Sequence, residues 1–196
     1  MQDSKYGFLI LCLVISSILF SCGSGHLCRK RSDQIVTKSQ NEQPKWSEKE
    51  YKNDTDNYHF MNYIRTEKNE IEGLRLAKDE LLQKITGRIN DHLKEYLSER
   101  ISSKEKSTIF KVFSDALLEQ MKIKVIIPDA SYYEKLKNDD QTCYCCYVYK
   151  VINKEILNNK IRETIMILEE RYSDDDNMIS ILSRLKKQAD IPLNQK

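Results

Sequence analysis

CYCCYVYKVINKEIL, residues 143–157, decides the fold. Cys143 to Val151 is dense in tyrosine, cysteine and valine, and it follows the polar cluster Asn138-Asp139-Asp140-Gln141. That arrangement reads as the return strand of a hairpin. Beyond Asn153 the period changes to that of a helix, with Ile156, Leu157, Ile161, Ile165, Ile167 and Leu168 as its apolar positions and Asn153 as the cap. On the strand, side chains alternate, so Cys143 and Cys145 share a face with Tyr147 and Tyr149, while Cys146 faces the other way with Tyr144 and Val148.

Working upstream, the other arm of the hairpin is expected within Lys122–Leu136. There KIKVII alternates and is β-branched, and Pro128, which has no N–H for a ladder, marks a bend or bulge. Before it, a helix is predicted from about Lys104 to Gln120, with Ser103 as its cap and Ile109, Phe110, Phe113, Ala116, Leu117 and Met121 on its face. The alternation in STIFKVF leaves a strand open for part of that stretch. A long helix is predicted from Thr66 to near Arg100, where Ile71, Leu74, Ala77, Leu81, Leu82, Ile85, Ile89, Leu93, Tyr96 and Leu97 recur at three- and four-residue steps. Gly73 and Gly87 interrupt that face at up to about 1 kcal/mol each, a cost that points to close packing against another element. NYHFMNYIR, 57–65, reads as the first strand, with a backward extension of the long helix as the rival.

Downstream, Asp174-Asp175-Asp176 suits a helix start rather than a calcium loop, which would need a fixed glycine and a terminal glutamate. Met178, Ile179, Ile181, Leu182 and Leu185 then form a short terminal helix. The expectation is an α+β domain over 57–190: a small antiparallel or mixed three-stranded sheet packed by one long helix and two or three shorter ones.

The N-terminal third has a different character. GFLILCLVISSILFSC, 7–22, is an apolar run of export-signal length that closes on Leu19-Phe20-Ser21-Cys22. An aliphatic residue three places before a cysteine and a small one directly before it form a lipobox, which predicts a signal peptide over 1–21 and acylation of Cys22. The run stops short of the roughly 20 residues of a membrane span. Arg29-Lys30-Arg31 is the feature that keeps an uncleaved, single-pass anchor open as an alternative. Residues 22–56 have few apolar positions and no sustained period, so they read as a flexible, soluble tether with incidental charges, contact of the basic cluster with anionic headgroups being the alternative, and with Trp46 docked on the domain.

Composition narrows the function class. A net charge of +2 with 32% charged residues of both signs argues against nucleic acid as a partner. Five glycines and three prolines predict regular structure. No phosphate loop, nucleophile elbow or metal spacing stands out, and His26, His59 and His92 are scattered. No catalytic residue, metal or cofactor is assigned. In an exported chain Cys28, Cys143, Cys145 and Cys146 are open to three readings: buried small hydrophobes, a disulfide, or a thiol or metal cluster on the 143–146 strand. Lys122, Lys124, Tyr132 and Tyr133 are a candidate basic and aromatic strand for a polyanion or glycan, and alternation across a half-buried sheet explains them equally.

Pro44-Lys45-Trp46, the strand Tyr58–Ile64, the helix GLRLAKDELLQKI and CYCCYVYKVINKEIL together resemble the twenty-kilodalton membrane-associated bacterial lipoproteins, the Lpp-twenty family, over about 44–160. The resemblance implies a lipid-anchored envelope protein, usually of the outer membrane, without known catalysis, and its anchor cysteine corresponds to Cys22. The expected role is a non-catalytic binding or scaffolding module at the membrane surface, held by lipid on Cys22, with an envelope protein or wall polymer as partner. The alternative is a thiol or metal protein using the cysteine strand.

Overall fold

The computed structural model describes residues 28–30, 32–48, 52–123, 126–138 and 141–189. The apolar run 7–22 and Cys22, as well as His26, lie outside the described residues. The architecture is α+β. Strands β1 (Gln34–Lys38), β2 (Asn57–Thr66), β3 (Ala130–Asn138) and β4 (Gln141–Asn153) form one sheet in the order β1-β3-β4-β2. Every pairing is antiparallel. Helices α1 (Glu70–Ser98), α2 (Ser103–Gln120), α3 (Lys154–Arg171) and α4 (Asp176–Ala189) complete the fold.

Each helix starts where a side chain takes over an orphan N–H. Asn69 accepts from Glu72 N at 2.9 Å for α1. Ser102, one residue before the predicted cap, forms a reciprocal capping box with Glu105 for α2. Asn153 accepts from the N–H groups of Glu155 and Ile156 for α3, as its place after the strand predicted. Asp175 accepts from Met178 N at 3.0 Å before α4, so the acidic triplet supplies a helix start.

The helices occupy one face of the sheet. Ala77, Leu81, Ile85, Ile89, Leu93, Tyr96 and Leu97 make the buried stripe of α1, and Tyr58, Phe60, Val148 and Ile152 meet it from β2 and β4. Each such aliphatic side chain contributes roughly 1.5–3 kcal/mol, so this layer carries most of the core. α2 and α3 pack on each other, and α4 packs on α3. A polar bridge crosses the layer: His92 on α1 pairs through Nδ1 with Tyr58 OH and through Nε2 with Asn158 Oδ1, both at 2.8 Å.

Two predicted features change. The sheet has four strands rather than three, because Gln34–Lys38, assigned by sequence to the tether, pairs with β3 from Gln34↔Lys137 to Lys38↔Glu134. Five residues with a bulge between Ile35 and Thr37 give no usable alternation, and their partner lies about a hundred residues away, so sequence periodicity is silent there. The second change concerns KIKVII, since β3 starts only at Ala130. Lys122 takes the left-handed conformation that ends α2, with φ 51°, Ile123 is drawn into the helical core, and Ile127 is left exposed.

The two glycines of α1 differ. A Cβ on Gly73 would collide with Cys146 Sγ and stand 2.9 Å from Thr66 Cγ2, whereas one on Gly87 meets nothing within 4 Å. Close approach to the sheet therefore accounts for Gly73 and not for Gly87, which lines an open groove with Leu82, Thr86 and Ile123. Gly73→Ala is expected to cost about 1–3 kcal/mol through overpacking. Gly87→Ala is expected to stabilise by about 0.4–1 kcal/mol through the unfolded chain. Urea denaturation of the two variants beside the parent measures both signs.

Candidate functional site

The second face of the sheet carries the cysteines. By alternation along β4, Cys143, Cys145 and Tyr147 project there, and Tyr132 and Leu136 join them from β3. The segment 28–48 lies over this face as a strap and closes a second, smaller core with Cys28 and Trp46. Cys28 and Cys145 form a disulfide with 5.8 Å between their Cα atoms. Trp46 docks by stacking on Tyr149, ring centroids 5.7 Å apart. The sequence places 28–48 in the flexible tether, but this disulfide, two ion pairs and the β1 pairing make it part of the folded body.

Both ion pairs are anchored on the sheet. Glu134, fully buried, sits between Tyr132 and Leu136 on the strapped face, where it accepts from Arg29 Nε at 2.5 Å and Nη2 at 2.8 Å. Tyr132 OH donates to the same carboxylate at 2.7 Å, and Arg29 also reaches Gln43. Burial, with the hydrogen bond to Glu134 next, raises the Tyr132 phenol and keeps it protonated. Arg65 on β2 grips Asp33 in a two-pronged contact, Nη1 at 2.5 Å and Nη2 at 2.9 Å, and donates to Cys28 O at 3.4 Å. The basic cluster 29–31 therefore divides. Arg29 turns inward, Lys30 stays exposed, and Arg31 lies outside the described residues.

The Arg65 hydrogen bond holds the Asp33 carboxyl below its ordinary 3.8. A depressed carboxylate stabilises the fold above its unfolded pKa and loses that contribution as pH falls through its folded value. Asp33→Asn is therefore expected to be less stable than the parent at neutral pH, with the gap closing as the pH drops below about 4. Thermal melts across that range test it.

The remaining thiols are inert by placement. Cys143 is buried on the strapped face, where desolvation raises its pKa against the opposing pull of Arg65. Cys146 points the other way, toward Glu70 O at 3.7 Å, and burial pushes its thiol up to about 12. Such thiols carry little thiolate, the nucleophilic and metal-binding form. Alkylation at mildly alkaline pH is expected to spare Cys143 and Cys146 in the folded protein and to modify both in urea. Cys28 and Cys145 should join them only after reduction, and peptide mapping distinguishes the three states.

Other candidates disperse. Tyr132 is buried on the strapped face, Tyr133 packs against Tyr144 and Lys122 ends α2, so among the described residues these three form no joint basic and aromatic surface; Lys124 lies outside the described residues. His59 joins a row unmarked in the sequence: Nε2 meets Asp54 Oδ2 at 2.7 Å and Nδ1 meets Tyr149 OH at 2.6 Å. The His59 hydrogen bond pulls Asp54 down to about 2. With Trp46 on Tyr149, this row secures the second end of the strap. Among the described residues no three His, Cys, Asp or Glu side chains are grouped as a metal would need.

No protein-family model matches the chain, and neither the curated proteins nor the solved structures include a significant match to it.

Proposed function

We propose that this chain is an exported lipoprotein, acylated at Cys22 and held in the cell envelope at the outer membrane. Its α+β domain acts there as a non-catalytic binding or scaffolding module of the kind the Lpp-twenty family represents. The observation that supports the reading is the Cys28–Cys145 disulfide, which joins residues 117 apart in sequence. Bridges of that kind persist in oxidising compartments and are rare in a reducing cytosol, which agrees with export by the 7–22 signal. The strapped face supports the non-catalytic part, because its charged groups are engaged with one another: Arg29 with Glu134, and Arg65 with Asp33. Among the described residues, which do not include 7–22, no helix is long and apolar enough to cross a membrane; attachment in this reading is by the lipid on Cys22, and an uncleaved 7–22 anchor is the alternative.

Metabolic labelling with an alkyne palmitate analogue tests the anchor. Label is expected on the parent and absent from Cys22→Ser. A mature protein that keeps Met1 and carries no acyl chains overturns the reading. The partner in this reading is an envelope protein or a wall polymer, and recovery after cross-linking in intact envelopes identifies which.

A further inference from the structure

Cys22 and Cys28 are six residues apart. A chain that long reaches at most about 20 Å, and Cys28 is fixed to β4 by the disulfide. The tether read from sequence as 22–56 is thereby shortened to a few residues, and the strapped side of the sheet must ride close to any membrane that holds Cys22. β1, the edge strand on the β3 side of the sheet, carries an unusual surface. Val36 is 56% and Ile35 37% exposed. Lys38 ends the strand, Lys137 stands opposite Gln34, and Lys30 is exposed just before it. Apolar side chains on an open strand edge are an aggregation liability in water. Flanked by lysines, they suit the boundary between anionic headgroups and acyl chains.

From these two observations, the reach of the anchor and the composition of the β1 edge, we infer that this edge docks on the anionic bilayer surface to which Cys22 is attached. The inference rests on acylation of Cys22. Helices α3 and α4, on the opposite side of the sheet, then face away from the membrane and remain open to a partner. Ile156, exposed at the start of α3, lies past the end of β4, which β3 separates from the β1 edge. The domain is held in one orientation instead of swinging on a long leash.

The test uses the full-length lipoprotein purified from membranes and reconstituted in vesicles of phosphatidylglycerol and phosphatidylethanolamine. A benzophenone photo-cross-linker is placed at Val36 or, separately, at Ile156, both exposed positions. Several-fold more lipid adduct is expected from Val36 than from Ile156. Equal adducts from the two positions, or more from Ile156, overturn the docking while leaving the lipoprotein reading intact. The intact mass of the same samples reports acylation separately, and its absence overturns that reading and the docking with it.

Discussion

Arg29→Met is expected to destabilise the domain by about 3–5 kcal/mol, the cost of leaving a buried carboxylate without its cation. For a domain of this size that corresponds to a fall in Tm of about 10 °C. The Glu134 side chain is fully buried, and the Arg29 side chain beside it is only 15% exposed, so neither charge recovers much hydration when the other is removed. An exposed ion pair would be worth no more than about 1 kcal/mol, and burial is what raises the figure here. Methionine keeps much of the arginine stem's volume, so the loss reports on charge rather than on a cavity. The double variant Arg29→Met/Glu134→Leu is expected to recover most of the stability, because an apolar pair of similar size avoids the desolvation of both ions. What it does not recover belongs to Tyr132, whose hydroxyl loses its acceptor at a cost of about 1–3 kcal/mol. Adding Tyr132→Phe should remove that residue of the deficit. Urea titration of the single, double and triple variants yields the coupling directly. A loss below about 1 kcal/mol in the single variant would place the pair among surface contacts and remove it as the clamp of the strap.

The same pair shows where sequence reasoning reached and where it stopped. Elements built from local periodicity were legible: the α1 stripe from Ala77 to Leu97, the run of β4 into the Asn153 cap, and the opposite facing of Cys145 and Cys146. What was not legible depends on contacts between distant residues. β1 takes its register from β3, a hundred residues on, and QIVTK carries no pattern of its own. Cys145 pairs with Cys28 because the strap crosses the sheet there, and spacing among four cysteines does not select that partner. KIKVII has strand composition, yet Lys122 ends α2 and Ile123 joins the core, so tertiary packing overrode propensity at those two positions, Lys124 and Val125 lying outside the described residues. Glu134 did leave a trace. In SYYEKL it falls two residues from both Tyr132 and Leu136, a lone acid on an otherwise apolar strand face, and such an acid requires a buried cation from elsewhere.

Removing the disulfide is the second large perturbation, and it separates global stability from strap attachment. Cys28→Ala/Cys145→Ala is expected to lose about 2–4 kcal/mol, since the bridge closes a long loop and restricts the unfolded chain. The double variant is the informative one: Cys28→Ala alone would leave Cys145 as a third buried thiol beside Cys143. The helical core of Leu81, Leu93, Phe113, Leu157 and Leu182 has no contact with the bridge and should keep the fold. The strap retains the Arg29–Glu134 and Arg65–Asp33 pairs, so it should open locally rather than detach. Amide exchange is therefore expected to quicken in β1 and around Trp46 well below the global transition, while α1 exchanges only with global unfolding. Trp46, the single tryptophan of the chain, stacks on Tyr149, and its fluorescence gives an independent record of that opening. If exchange in β1 stayed as slow as in α1, the ion pairs and strand pairing alone would hold the strap, and the disulfide would contribute only through the unfolded state. If β1 and Trp46 loosened together, the bridge would be the element that converts residues 28–48 from a leash into part of the domain.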